Sequence, residues 1–321
     1  ITGIQVSRRY KHFDWLRERL EEKFTLTLIP PLPEKQVSGN FQDDLIEHRK
    51  QILQLWVDKI CRHPVMNRSE VWMHFVTCTD EKKWKLGKRK AEKDEFTGGN
   101  FFRSVNVPVG REPLSQLDVV HQVESFARTS KSLDDSVKQL FDRAQDMGKK
   151  MTGVYHRDFE KLGLAVDAVA QSFAADQLNE DAAITQAIRH TGQTYREIGC
   201  MYENQPRNDI DPFLDAMFSY KGMLSSIPDI VAVHKSAVSK LNEHQKAGGE
   251  NPTEPVAKEL ENIQNRVDTI SYVMMAEMQH FRDERRHDFK HSMSSLLNNQ
   301  IAFYEQIISK LQSSLNQFNE A

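Results

Sequence analysis

The chain has 321 residues, a formal net charge of −3, 39% hydrophobic residues and 28% charged residues. At roughly 100–200 residues per domain this length predicts two domains, and the composition excludes a wholly disordered or membrane-embedded chain. No apolar run approaches the ~18–20 residues that span a bilayer. Ile1–Tyr10 lacks the basic start and apolar stretch of a signal peptide. Three cysteines, Cys61, Cys78 and Cys200, are too few for a disulfide framework, so a reducing cytosol is expected.

The charge is unevenly spread. Residues 1–112 carry 21 Lys and Arg against 16 Asp and Glu, whereas residues 113–321 carry 22 against 30. An anionic partner is therefore expected to meet the front of the chain first.

In chain order, Ile4-Gln5-Val6 reads as the end of a strand whose partners lie before it. Trp15, Leu16 and Leu20 have helical spacing. A proline cluster (Pro30, Pro31, Pro33) follows. A second helix begins with basic residues (His48, Arg49, Lys50) and carries Leu45, Ile46, Ile52, Leu53, Leu55, Trp56, Val57 and Ile60 at helical spacing. The next segment, 77–112, reads as a connector, part helix and part extended. It is dense in charge over Asp80–Lys93 and punctuated by Gly98-Gly99, Pro108, Gly110 and Pro113.

From Leu114 onward the pattern predicts three long helical stretches. They run from 114 to about 173, from 181 to 246, and from 253 to 318. The second is interrupted at Gln205-Pro206-Arg207-Asn208 and at Pro228. Gly248-Gly249-Glu250-Asn251-Pro252 forms the turn before the third. In the third, Val256, Leu260, Ile263, Val267, Ile270, Met274, Met278 and Phe281 recur in steps of three and four. The ladder resumes at Phe289 and continues through Ile301, Tyr304, Ile308, Leu311 and Leu315 to Phe318. A helix of that length reaches about 95–100 Å, so the three stretches must pack side by side. Any curvature would depend on helix kinks near Gly192, Gly199 and Pro206, or on the angle between chains in a dimer. Met274, Met275 and Met278 are expected in a dimer core.

The chemistry sits mainly in the front. An arginine fork at Arg9 can grip a phosphate bidentately, and Tyr10 beside it can floor a ring. The alternative is an edge strand with ordinary surface charge. Ile29-Pro30-Pro31-Leu32-Pro33-Glu34-Lys35 makes a stiff extended loop. It is either a rigid connector, an SH3 ligand, or a wall that holds Lys35 at a phosphate. Arg49 can approach the same pocket or remain a solvated helix charge.

The basic run of Lys82, Lys83, Lys85, Lys88, Arg89, Lys90 and Lys93 has three readings. It is a solvated face, a nuclear-localisation match, or an anionic-lipid patch worth up to ~1 kcal/mol per residue. Lys149, Lys150, Arg157 and Lys161 are candidate lipid contacts along the body, as are Lys235, Lys240 and Lys246 before the Gly248-Gly249 turn. His280, His287 and His291 span too much helix for one metal. No P-loop, nucleophile elbow, zinc-protease or phospholipase D signature occurs, so no catalytic residue is assigned.

Several motifs together resemble those of the sorting nexin 9 subfamily, whose members carry SH3, phox-homology (PX) and BAR domains. They are Arg8-Arg9-Tyr10-Lys11-His12-Phe13-Asp14-Trp15-Leu16, Leu32-Pro33-Glu34-Lys35-Gln36, and Trp84-Lys85-x-Gly87-Lys88-Arg89-Lys90-Ala91-Glu92-Lys93-Asp94-Glu95. Glu203-x-Gln205-Pro206, Pro228-Asp229-Ile230 and Ala276-Glu277-Met278-x-His280-Phe281 add to them. The resemblance implies an α+β PX domain over 1–76, truncated at its start. A basic connector would follow over 77–112, and an all-α BAR domain over 113–321. The BAR domain would pair into a curved antiparallel six-helix dimer.

The resemblance also implies that Arg9 binds the 3-phosphate of a phosphoinositide and that Tyr10 packs under the inositol ring. Lys35 would meet the 1-phosphate, and Arg49 the far-side hydroxyls or phosphates. It further implies membrane remodelling in clathrin-mediated endocytosis, macropinocytosis and endosomal traffic, at the cytoplasmic face of the plasma membrane, coated pits and endosomes. Dynamin and actin-nucleation partners would be met through an SH3 domain outside these 321 residues. No cofactor and no nucleic-acid partner are implied. The competing reading is a coiled-coil protein scaffold without lipid selectivity.

Overall fold

The computed structural model describes residues 3–34, 43–105, 107, 114–175, 182–249 and 253–321. These residues form helices α1 (Tyr10–Lys23), α2 (Asp43–Arg62), α3 (Glu70–Thr77), α4 (Glu81–Ala91) and α5 (Gln116–Lys150). They continue as α6 (His156–Ala174), α7 (Ala182–Asn204), α8 (Ile210–Gly248) and α9 (Glu254–Glu320). Among the described residues there is no strand. Ile4–Val6 is not in a ladder, because a single extended segment needs a partner chain segment to bond with. Of the α+β front expected from the resemblance, the described residues show the helices.

The chain divides into two compact units. One comprises residues 1–136 with 219–285, and the other 137–218 with 286–321. In the first, α1, α2 and α3 bury a common core that includes Trp15, Leu16, Leu20, Trp56, Ile60 and Phe75. The periodicity of α1 and α2 explains this: the apolar positions fall on one stripe while Arg17, Glu18 and Glu21 face solvent. Ser69 caps α3, accepting a hydrogen bond from the Trp72 amide, and Asp80 caps α4 in the same way through Lys83.

Trp84, in the charge-dense connector, belongs to the same core. It stacks on His74 with ring centroids 5.1 Å apart and meets Trp15 edge-on at 5.4 Å. Gly87, one turn later, is required there. A Cβ at that position would lie 2.3 Å from the His74 ring. The Trp84-x-x-Gly87 spacing thus encodes how α4 docks.

The long helices follow the sequence pattern with two departures. Pro228 does not interrupt α8. Losing one backbone hydrogen bond is offset by packing, since Leu224, Ile227, Ile230 and Val231 around it are all buried. Gly192 and Gly199 sit inside an unbroken α7. Gly192 lies against the Gly163 backbone, so its small size serves close helix packing. The first stretch is broken by a π-helical turn, Met151–Tyr155, between α5 and α6, which periodicity alone did not reveal.

The interruption at Gln205–Arg207 is present as a 3-10 turn. Gln205 Nε2 donates to Asp209 Oδ2 at 3.0 Å, and Asn299 Nδ2 of α9 donates to the Asn208 carbonyl at 3.0 Å. Met151 of the π turn, Ile210 after the 3-10 turn, and Phe303 of α9 form one small buried cluster. The irregularities of two neighbouring stretches therefore share a layer. α8 ends at Gly248, and Gly249 takes φ +65°, the left-handed conformation that glycine tolerates; Glu250, Asn251 and Pro252 of the expected turn lie outside the described residues.

Met274 and Met278, expected at a dimer core, are fully buried within the single chain. The uncovered apolar surface lies further along α9. Phe303 and Ser314 face inward, whereas Leu297, Ile301, Tyr304, Ile308, Leu311 and Leu315 remain 41–59% exposed in steps of three and four. A second exposed stripe, Leu140, Met147, Val154, Leu162, Val169 and Phe173, runs along α5 and α6.

Candidate functional site

The candidate site lies where the start of α1, the proline segment and α2 meet. Arg8 and Arg9 are sequence neighbours with different surroundings. Arg8 is taken up by structure: its Nε donates to the Phe75 carbonyl at 2.9 Å and its Nη2 to the Cys78 carbonyl at 2.7 Å. Its guanidinium also lies 4.2 Å over the Trp84 ring. Burial lowers its pKa from the ordinary arginine value. Arg9 stands at the N-cap of α1 with an exposed side chain.

The first turn of α1 contains no acidic residue, so the positive end of its dipole is uncompensated. The local field is positive as well. Burial first, then Lys11, Arg8, Lys88 and Arg9, hold the His12 imidazole below its usual pKa. His12 Nδ1 accepts the Arg9 amide hydrogen at 3.2 Å.

Tyr10 and Arg49 come together although 39 positions apart in the chain. The Arg49 guanidinium carbon lies 4.1 Å from the Tyr10 ring centroid, and its Nη2 donates to the Glu34 carbonyl at 3.0 Å. The Arg49 Nε is buried and has no hydrogen-bond partner among the described residues. The Tyr10 hydroxyl donates to the Pro33 carbonyl at 2.6 Å. The proline segment is fixed earlier too, where Trp56 Nε1 donates to the Pro30 carbonyl at 3.0 Å. Arg9, Tyr10 and Arg49 are thus gathered on one framework of α1, α2 and residues 30–34. Lys35, the fourth residue singled out from the sequence, lies outside the described residues.

The basic run on α4 divides by partner. Lys85 pairs with Glu81 at 2.9 Å, Lys90 with Glu70 at 2.7 Å, and Lys88 lies 5.0 Å over the Trp15 ring. Lys82, Lys83 and Arg89 are exposed, as is Lys93 just beyond α4. On α8, Lys235 is 3.8 Å from Glu124, and Lys240 and Lys246 are exposed. On the body of the second unit, Arg157 is used internally: its Nε donates to the Gly153 carbonyl in the π turn at 2.9 Å.

Among the buried ionisable residues without a role in the sequence reading, Glu277 stands out by its partners. Glu277 of α9 is 6% exposed. It accepts the Leu28 amide hydrogen at 2.8 Å and meets His63 Nε2 at 3.0 Å. It belongs to a motif quoted above, but nothing in local sequence announces a partner 249 positions away.

Residues 2–79 match the PX domain model, and residues 80–319 match the model for the WASP-binding domain of sorting nexin proteins. The chain is 44% identical over 98% of its length to sorting nexin lst-4 of Caenorhabditis elegans, covering 54% of that protein. It is 42% identical to human sorting nexin-33, again over 98% of the chain and 54% of the relative. With mouse sorting nexin-18 the identity is 39%, over 99% of the chain and 52% of the relative. The chain thus spans about half the length of the relatives it matches. Among solved structures, the cryo-EM structure of the SNX-BAR Mvp1 tetramer superposes with a TM-score of 0.70 at 15% identity, covering 96% of this chain and 88% of that one. The fold is that of a PX domain followed by a BAR domain, and the chain belongs to the sorting nexin family, within the sorting nexin 9 subfamily.

Proposed function

We propose that this chain is the lipid-binding and membrane-shaping portion of a trafficking protein. It is a phosphoinositide-binding, curvature-sensing and curvature-generating dimeric scaffold acting in endocytosis and endosomal transport. The observation that carries this reading is the convergence of Tyr10, Arg49 and the 33–34 carbonyls beside the exposed Arg9, at an uncompensated helix N-terminus.

In this reading Arg9 holds the 3-phosphate, Tyr10 floors the inositol ring, Lys35 meets the 1-phosphate, and Arg49 reaches the far side. Residues 1–76 form the PX domain, 77–112 the connector, and 113–321 the BAR domain. The exposed lysines and arginines of α4, with Lys235, Lys240 and Lys246, supply the less specific attraction to anionic lipid.

The two exposed apolar stripes are the faces that pair in a curved six-helix dimer, since an uninterrupted stripe of this kind is otherwise an aggregation liability. A dimer engages several lipids at once, which turns weak single contacts into firm attachment. Binding a curved bilayer better than a flat one biases the membrane toward tubes. Partners are a second copy of the chain, anionic membrane and, as the WASP-binding description of the matched model suggests, actin regulators. Dynamin contacts belong to an SH3 domain outside these residues. The site of action is the cytoplasmic face of the plasma membrane, coated pits and endosomes.

Co-sedimentation with vesicles tests this. Phosphatidylserine vesicles with and without phosphoinositide are compared for the native chain and Arg9→Ala. Arg9 is exposed, so its loss should leave stability within about 0.5 kcal/mol. Removing a charge-assisted phosphate contact should cost roughly 1.5–3 kcal/mol, about 10–100-fold in phosphoinositide affinity. Equal binding to both vesicles, fading with salt, would reduce the front to nonspecific charge.

A further inference from the structure

The Ala276-Glu277-Met278-x-His280-Phe281 motif of α9 is not part of the headgroup pocket, yet Glu277 is linked to it through seven residues. Glu277 is buried and has two donors. Leu28 N–H gives one hydrogen bond, at 2.8 Å. The second comes from His63, and its direction follows from the imidazole's other nitrogen. His63 Nδ1 accepts the amide hydrogens of both Val65 and Met66 at 3.2 Å, so the ring proton sits on Nε2 and points at Glu277. The His63 ring is further held edge-on by His280, with centroids 4.6 Å apart. A buried carboxylate is costly unless paired and hydrogen-bonded, and both oxygens of Glu277 are engaged.

From Leu28 the chain runs to the pocket with little freedom. Pro30, Pro31 and Pro33 each fix a backbone angle. The Pro30 carbonyl is held by Trp56, and the Pro31 ring packs against Gly222 of α8 where no Cβ would fit. The Pro33 carbonyl then receives the Tyr10 hydroxyl, and the Glu34 carbonyl receives Arg49. Displacing Leu28 therefore moves the two carbonyls that orient Tyr10 and Arg49, because the segment between is too stiff to absorb the shift.

We propose that Glu277, on the long helix α9, is a positioning residue for the headgroup pocket, acting through Leu28 and the proline segment on Tyr10 and Arg49. By linkage the effect is reciprocal: headgroup occupancy tightens the hold of residues 28–34 on α9. This rests on the pocket assignment made under Proposed function.

The test uses the full 321-residue chain and isothermal titration with soluble dibutanoyl phosphatidylinositol 3-phosphate and phosphatidylinositol 4,5-bisphosphate. The variants are Glu277→Ala, Glu277→Gln and Arg266→Met. Arg266 also ties α9 to the front, but through the Gly99 carbonyl, to which it donates at 2.7 Å, and not through the Leu28 amide. Glu277→Ala should weaken the preferred lipid about 5–50-fold. Glu277→Gln keeps one acceptor oxygen and should fall between it and the native chain, and it decides the matter if the alanine variant does not fold. Arg266→Met should bind as the native chain does, although its thermal midpoint drops. Native affinity in a folded Glu277→Ala, or an equal loss in Arg266→Met, overturns the proposal. If the native chain binds neither lipid, the pocket assignment fails and this inference fails with it.

Discussion

Replacing Trp84 with alanine is expected to be the most destabilising single change in the front of the molecule, lowering the stability of the first unit by about 3–5 kcal/mol. The indole is 8% exposed and lies within 5.1–6.2 Å, ring to ring, of His12, Trp15, His74 and Phe75. It also carries the Arg8 guanidinium on its face. Its loss opens a cavity among these rings and removes the surface on which Arg8 rests. Arg8 in turn holds the Phe75 and Cys78 carbonyls, where α3 gives way to α4. Urea unfolding should show an earlier front transition, with α4 losing protection in hydrogen exchange before α9. A wild-type midpoint in Trp84→Ala would mean that the connector helix is a surface attachment and not part of the front core.

The second large effect concerns assembly. Ile301→Asp with Ile308→Asp should convert the proposed dimer into a monomer while leaving the chain folded. Both side chains are more than half exposed in the single chain, so the substitutions create no internal cavity. In a pair of chains they remove four apolar side chains from the seam, each worth about 1.5–3 kcal/mol of burial, and leave carboxylates there instead. A rise of at least ~100-fold in the dissociation constant is expected, read by analytical ultracentrifugation or mass photometry. An unchanged dimer would move the interface elsewhere.

Much of this architecture was legible in the sequence because it rests on periodicity. The three long helical stretches, the 3-10 break at Gln205–Arg207 and the Gly249 turn all follow from local patterns. Pro228 misled because a local rule was outweighed by packing: its neighbours at 224, 227, 230 and 231 are all buried. The π turn at 151–155 leaves no compositional mark, and only the meeting of Met151 with Ile210 and Phe303 gives it a reason. Met274 and Met278 carried the right hydrophobic signal, but periodicity cannot say whether an apolar face is covered by the same chain or by another.

The candidate site shows the same division. Arg9, Tyr10 and Arg49 were readable as residue types in a recognisable order. That Arg8 is consumed by the Phe75 and Cys78 carbonyls, leaving Arg9 exposed, could not be read from two adjacent arginines. Glu277 was visible only as a letter in a motif. Its significance is a contact with Leu28 across 249 positions, which no local pattern encodes.

The most direct test of the central claim is electron microscopy of phosphatidylserine vesicles containing phosphatidylinositol 4,5-bisphosphate, incubated with the native chain and with Ile301→Asp/Ile308→Asp at equal bound protein. A dimeric curvature scaffold predicts tubes of uniform diameter with the native chain and undeformed vesicles with the monomeric variant. Equal tubulation by the monomer, or a native dimer that coats vesicles and leaves them round, would contradict it.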